Sequence, residues 1–188
     1  TNQGAHQLDS TRQTGGVRKF EEGEFLEDVY TMNDFILGEE ELGGNRGRIP
    51  LRPQRECTGF NYDVPYMVTE FNGHMFPTKS VDNELRQNEH VLRHLEVLNA
   101  AYGASNNAGA IGWCAFDYNT HKDFGSGDRI CYHGVMDMFR EPKFASYVYS
   151  SQDHAKNGLV LEPVTVWARG ERNIQGVLPL IILTNCDY

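Results

Sequence analysis

Two apolar runs on either side of one helical period limit what this chain can fold into. Residues 65–71 (PYMVTEF) are rich in Tyr, Val and Phe behind a proline, the mark of a short buried strand. Residues 82–103 carry Leu85, Val91, Leu92, Leu95, Leu98 and Tyr102 at helical spacing. Asp82 is placed to cap this helix and Gly103 to end it. Residues 108–118 (AGAIGWCAFDY) are continuously apolar, as in a strand buried on both faces. Strand, long helix, strand reads as a parallel βα unit, because parallel neighbours need a crossover of that length.

The remainder fits an α/β chain cut from something larger. Residues 26–35 (LEDVYTMNDF) read as an earlier strand, with Val29 and Tyr30 near its middle. The first 24 residues are polar with no sustained period, and 38–63 read as one long loop. A Gly- and Asp-rich loop spans 119–134, and 142–152 (PKFASYVYSSQ) reads as a second helix. From Leu159 onward, two strand-like runs flank a turn-rich segment and belong to a separate all-β element. Three clear strands neither close a barrel nor make a comfortable open sheet.

Composition removes several function classes. Seventeen Lys and Arg against 26 Asp and Glu leave a net charge of −9, which disfavours nucleic acid as a partner. No apolar run is long enough for a membrane span, and no leader is read at Thr1. Cys57, Cys114, Cys131 and Cys186 show no CxxC spacing, so zinc and redox motifs lack support. Cys114 reads as a buried free thiol, and this cysteine usage fits a reducing, cytoplasmic setting.

The residues able to do chemistry gather at strand ends. Glu70 closes an apolar run, where burying a carboxylate is costly unless it is paired or used. In parallel βα architectures, catalytic groups sit at the carboxyl ends of strands. Asn72 and His74 follow Glu70 directly. Trp113 and Asp117 lie near the end of the next strand, and Tyr30, Asn33 and Asp34 close the first. The loop beyond Asp117 adds His121, Lys122, Asp123, Asp128, Arg129 and His133. Carboxylates, amides, imidazoles and an aromatic platform suit a sugar site, where a carboxylate can serve as nucleophile or acid/base. Blander readings stand beside this one. A lone strand-end Glu is more often structural, and Trp113 suits a core. His90 and His94 read as solvent-facing, and the His121–His133 loop as hydrogen-bonded rather than metal-binding.

Three segments carry a resemblance: YMVTEFNGHMFPTKS (66–80), AGAIGWCAFDYNTHKDFGSGDRICYHGVMDMFREPK (108–143) and WARGERNIQGVLPLIILTNCD (167–187). Together they resemble the later part of the catalytic domain of glycoside hydrolase family 2, in its β-galactosidase branch. From about Asp9 onward, only 38–63 falls outside the likeness. The resemblance implies a partial (β/α)8 TIM barrel, about strands 6–8, over residues 1–154. It implies a linker and the first strands of a β-sandwich domain over 155–188. It makes Glu70 the catalytic nucleophile of a retaining enzyme and Trp113 the aromatic lining the sugar subsite. Asn72, His74, Tyr30, Asp117 and His121 complete the expected substrate-binding set.

Where the sequence departs from the family pattern, it does so at the site. Many members read Glu-Tyr-x-His after the nucleophile, whereas this chain reads Glu-Phe-Asn-Gly-His. Many place a tyrosine at the end of strand six, where the nearest aromatics here are Tyr30 and Phe35. Residues 123–139 hold neither Asn nor Lys, which argues against the glucuronide-reading branch. The acid/base Glu of the family's Asn-Glu pair has no match, since Asn83-Glu84 opens a helix downstream of Glu70. The expectation is therefore a β-galactosidase-like segment inactive on its own, acting on β-linked galactosides together with the remainder of its polypeptide. A homo-oligomer is allowed, and magnesium or sodium would be held outside this chain. The alternative is a non-catalytic carbohydrate-binding or assembly-completing fragment.

Overall fold

The structure, a computed structural model, describes residues 1–17, 24–39, 48–59, 64–73, 76–122, 127–167 and 180–187. The chain divides into two compact units. One comprises Thr1–Asn72 with Glu96–Trp113, and the other Gly73–Leu95 with Cys114–Tyr188.

The first unit is built on a parallel sheet. Helix α1 (Asn2–Leu8) leads to β1 (Gly15–Val17) and β2 (Val29–Asn33). Short helices α2 (Ile36–Glu39) and α3 (Gln54–Thr58) precede β3 (Tyr66–Phe71). Helix α4 (Glu84–Gly103), which belongs to this unit from Glu96 on, then leads into β4 (Asn107–Gly112). The four strands lie in the order β1-β2-β3-β4, and every pair is parallel. Chain order thus equals spatial order, as successive βα crossovers of one hand produce. Tyr30, Tyr66, Val68 and Phe71 are buried from the strands, and Ile36, Leu37, Val97, Leu98 and Ala101 from the helices. Burying a Val, Leu, Ile or Phe side chain contributes roughly 1.5–3 kcal/mol.

Strand β1 makes the sheet one strand larger than the sequence suggests. Gly15-Gly16-Val17 is too short for a period and looks like a turn. Yet a Cβ on Gly15 would come within 2.8 Å of Thr31 Cγ2, so this glycine leaves room for the Thr31 side chain of the neighbouring strand. The apolar run at 108–118 is also shorter as a strand. β4 stops at Gly112 and pairs only with β3 among the described residues, which leaves Ile111 exposed rather than buried on both faces.

In the second unit, β5 (Tyr118–Asn119) pairs antiparallel with β6 (Ile130–Cys131). Helix α5 (Ser146–Ser150) is shorter than the 142–152 expected. Ser146, Tyr147 and Val148 each bond the carbonyl three residues back, so the approach is tightly wound. After a short 3₁₀ turn at Ala155–Asn157, β7 (Leu161–Pro163) pairs antiparallel with β8 (Ile182–Thr184). Among the described residues, no helix is long and apolar enough to cross a membrane. All four cysteines are free, with Cys114 half-buried and Cys57 and Cys131 buried.

The buried face of α4 corrects a sequence reading. His90 and His94 are not solvent-facing: they are 4% and 1% exposed. Leu85 and Tyr102, placed on the apolar face by spacing, are 65% and 72% exposed at the helix ends. Gln87, His90, Val91, His94, Val97, Leu98 and Ala101 form the buried stripe at three- and four-residue steps. Two imidazoles are accepted there because His94 Nδ1 lies 2.8 Å from the Tyr149 hydroxyl and the two rings meet edge to face at 5.0 Å. Burial holds both rings neutral, with His94 pushed down to about 3 and His90 well below its ordinary value.

Candidate active site

Glu70 sits one residue before the end of β3, and local register sets its direction. Met32 and Asn33 on β2 pair with Val68 and Glu70, so one step on β2 spans two on β3. Toward β4 the same happens: Val68 pairs with Ala110, and Phe71 with Gly112. β3 thus carries one extra residue against both neighbours, which is a β-bulge. Its burial pattern shows the result. Tyr66, Val68 and Phe71 are buried, while Met67, Thr69 and Glu70 are not. Strict alternation would place Thr69 and Glu70 on opposite faces. The bulge turns Glu70 away from the buried side, the re-aiming that bulges perform beside active sites.

Asn33 meets Glu70 from the neighbouring strand. Its Nδ2 donates to Glu70 Oε2 at 2.9 Å, while Thr69 Oγ1 donates to Asn33 Oδ1, also at 2.9 Å. The next residue, Asp34, is buried and locks the chain behind it. Its carboxylate accepts from the Ile36 and Arg52 backbone N–H groups and pairs with Arg52 Nε at 3.1 Å. Part of the long loop is thereby tied to the end of β2.

Beyond β3 the backbone turns through two left-handed residues, Asn72 at φ 59° and Gly73 at φ 96°. Asn tolerates this region better than most residues with a Cβ. Asn72 Nδ2 is a buried donor without a hydrogen-bond partner among the described residues. Such an orphan at a strand end is the kind of group a bound hydroxyl would satisfy. Trp113 directly follows β4, where its N–H donates to the Phe71 carbonyl at 2.9 Å, and it is 37% exposed. Asn33, Glu70, Asn72 and Trp113 therefore share the carboxyl end of the parallel sheet.

Tyr30, His74, Asp117 and His121 complete the expected set. Tyr30 pairs with Tyr66 in the middle of the sheet, 2% exposed, with its ring stacked on Phe25 at 5.5 Å. The structure places it in the core rather than at the strand end. His74 and Asp123 lie outside the described residues. His121 is exposed in the second unit. Asp117, also in that unit, is buried, and its Oδ1 accepts from Lys143 Nζ at 2.6 Å and from the Gly134 N–H at 2.9 Å. Burial pushes the Asp117 carboxyl up and the Lys143 ammonium down, each opposed by the partner's charge. A Cβ on Gly134 would come within 2.2 Å of the Asp117 backbone nitrogen, so only glycine allows this approach. Among the described residues, no group of three or more His, Cys, Asp or Glu side chains could hold a metal ion.

Sequence reasoning had Asn33 as a strand-end residue but gave it no partner, and it missed Thr69. No local signal marks either, because both depend on a register shift between strands 36 residues apart.

No protein-family model matches the chain. A protein of Thermoanaerobacterium thermosulfurigenes named beta-galactosidase is 67% identical over 184 residues, covering 98% of this chain and 25% of that protein. One of the same name from Rhizobium meliloti is 59% identical over 189 residues, covering 100% of this chain and 25% of that protein. The resemblance to glycoside hydrolase family 2 is borne out. The chain spans about a quarter of the length of the curated relatives it matches. Among solved structures, the GH2 beta-galacturonidase from Eisenbergiella tayi bound to galacturonate aligns over 78% of this chain and 28% of its own. That match has a TM-score of 0.53 at 19% identity, a likeness of fold.

Proposed function

We propose that this chain is the nucleophile-bearing segment of a retaining β-glycosidase that hydrolyses terminal β-galactosides. The observation that carries the reading is the presentation of Glu70. A bulge turns its carboxylate out at the carboxyl end of a parallel strand, beside an amide donor, with an exposed tryptophan at the end of the neighbouring strand. The galactoside assignment rests on the sequence relatives, both named beta-galactosidase. In this reading β1 to β4 are the last four strands of a (β/α)8 barrel, residues 1–154 belong to it, and 155–188 begin a β-sandwich.

The chemistry follows from the geometry of two carboxylates. A Glu70 oxygen attacks the anomeric carbon and forms the C–O bond of a glycosyl ester as the glycosidic C–O bond breaks. A second carboxyl group about 5 Å away gives its proton to the leaving oxygen, then takes one from the water that cleaves the ester. Asp117 is unsuited to that second role, since its oxygen is engaged by Lys143 inside a buried cluster. The acid/base is assigned to the larger polypeptide, and the isolated segment is inactive in this account. A magnesium or sodium ion, if used, is likewise held outside the described residues.

The reading is tested in the full-length polypeptide with a chromogenic β-galactoside, comparing the parent with Glu70→Gln. Hydrolysis lost with Glu70→Gln, in a protein that remains folded by circular dichroism, supports the assignment. Parent-like hydrolysis by that variant rules Glu70 out as the nucleophile.

A further inference from the structure

We infer that Asn33 and Thr69 form a positioning relay that sets the rotation of the Glu70 carboxylate before substrate arrives. The inference rests on the reading of Glu70 as nucleophile and adds two residues with distinct tasks.

An asparagine amide has two faces of opposite character, a carbonyl that accepts and an NH2 that donates. Turned the wrong way, Asn33 would set its carbonyl oxygen against a carboxylate oxygen. The Glu70 carboxylate, which only accepts, requires the NH2 to face it, and the Thr69 hydroxyl holds the amide in that orientation. It donates to Asn33 Oδ1 at 2.9 Å, which directs Nδ2 to Glu70 Oε2 at the same distance. Thr69 therefore acts on its own chain neighbour through a residue of another strand.

The bulge makes this possible. In a regular strand Thr69 and Glu70 would point to opposite faces, and no single side chain could reach both. Because β3 carries an extra residue against β2 at this point, one Asn33 faces the pair. The irregularity thus has a double effect. It turns Glu70 out of the buried side and brings Thr69 round beside it.

An amide suits the reaction as well as the geometry. During turnover a Glu70 oxygen becomes the bridging atom of a neutral ester, and the other becomes its carbonyl oxygen. A hydrogen bond from a cation weakens sharply when its acceptor loses charge, whereas one from a neutral N–H changes less. Asn33 can therefore hold the same oxygen as carboxylate and as ester carbonyl.

The test uses the full-length polypeptide, a chromogenic β-galactoside, and a 2-deoxy-2-fluoro-β-galactoside whose rate of enzyme inactivation reports ester formation alone. Asn33→Ala is expected to lower kcat about 10- to 100-fold with KM little changed, as for loss of one donor at a reacting group. Thr69→Val, which removes the hydroxyl and keeps the shape, is expected to lower kcat and the inactivation rate about fivefold or more. Thr69→Ser, which restores the hydroxyl, should return both to within about twofold of the parent. In the Asn33→Ala background, Thr69→Val should have no further effect, since the relay has already lost its middle member.

Parent-like rates for Thr69→Val, or effects of the two substitutions that multiply, overturn the relay. Thr69→Ala serves in place of Thr69→Val should the latter fail to fold. Glu70→Gln run alongside separates the two readings. If it is inactive while Thr69→Val is parent-like, only the relay fails. If it is fully active, the nucleophile reading fails and takes the relay with it.

Discussion

Glu70 and Asp117 are both carboxylates near the ends of apolar runs, and they are held in opposite ways. Asp117 is 5% exposed, and its oxygen faces an ammonium at 2.6 Å and a backbone N–H at 2.9 Å. Lys143 is itself buried and also donates to the Thr78 carbonyl at 2.6 Å. That arrangement offsets the cost of burying two charges and pins three segments of chain together, at the expense of any freedom to react. Glu70 is half-buried on a bulge at a strand terminus, and the amide of Asn33 donates to it. In the proposed reading Glu70 serves chemistry because the backbone turns it outward and a donor fixes its angle. Asp117 serves structure because a buried cation claims it.

Substitutions separate the two roles. The largest effect is expected from Glu70→Gln, which should lower kcat/KM in the full-length polypeptide by about four powers of ten or more. Hydrogen-exchange protection of the β3 amides should stay at the parent level. Lys143→Met should do the reverse. By leaving Asp117 buried without its cation, it is expected to remove about 3–5 kcal/mol of local stability. Exchange of amides in residues 114–150 would show this, and adding Asp117→Leu should recover much of it, because the unpaired charge is then gone as well.

Acid should find the second unit next. His90 and His94 are neutral when folded and take up protons when unfolded, so their contribution is complete above the ordinary histidine value of 6.5. It declines as pH falls below 6.5, and for His94 the decline continues to about 3. The slope is up to about 1.4 kcal/mol per pH unit for each ring. Exchange protection of α4 amides at pH 7.5 and 5.5 measures it, and His94→Gln should flatten the difference. Equal pH dependence in parent and variant would contradict a buried neutral His94. The smallest structural effect belongs to Asn72→Gly. The left-handed turn accepts glycine, so stability should stay within about 0.5 kcal/mol, while KM rises as an amide donor is lost from the strand end.

What the sequence revealed follows from the range of each interaction. β3 was legible because a run of Tyr, Val and Phe ending in a carboxylate is a local pattern. α4 was legible for the same reason, although its face was misassigned. Leucine spacing drew Leu85 and Tyr102 inward, whereas the helix ends are exposed and the interior histidines take the buried stripe. β1 was hidden because three residues, two of them glycine, carry no period. The bulge in β3 had no sequence signature, since it exists only as a mismatch with β2 and β4. Asn33 therefore had no visible partner, and Thr69 no visible task. Lys143 likewise gave no hint of Asp117, 26 residues before it. Glu70 stands out locally as a strand-end carboxylate, and its role as nucleophile is what the resemblance implies, while Tyr30, expected at the site, is core.

The central claim is that Glu70 forms the covalent bond to the sugar. The most direct measurement is to inactivate the full-length polypeptide with a 2-deoxy-2-fluoro-β-galactoside, digest it, and locate the added sugar mass by tandem mass spectrometry. The account expects one label per polypeptide, on the carboxylate of Glu70 within residues 66–80. A label on any other carboxylate, or hydrolysis in an enzyme that never acquires one, would contradict it.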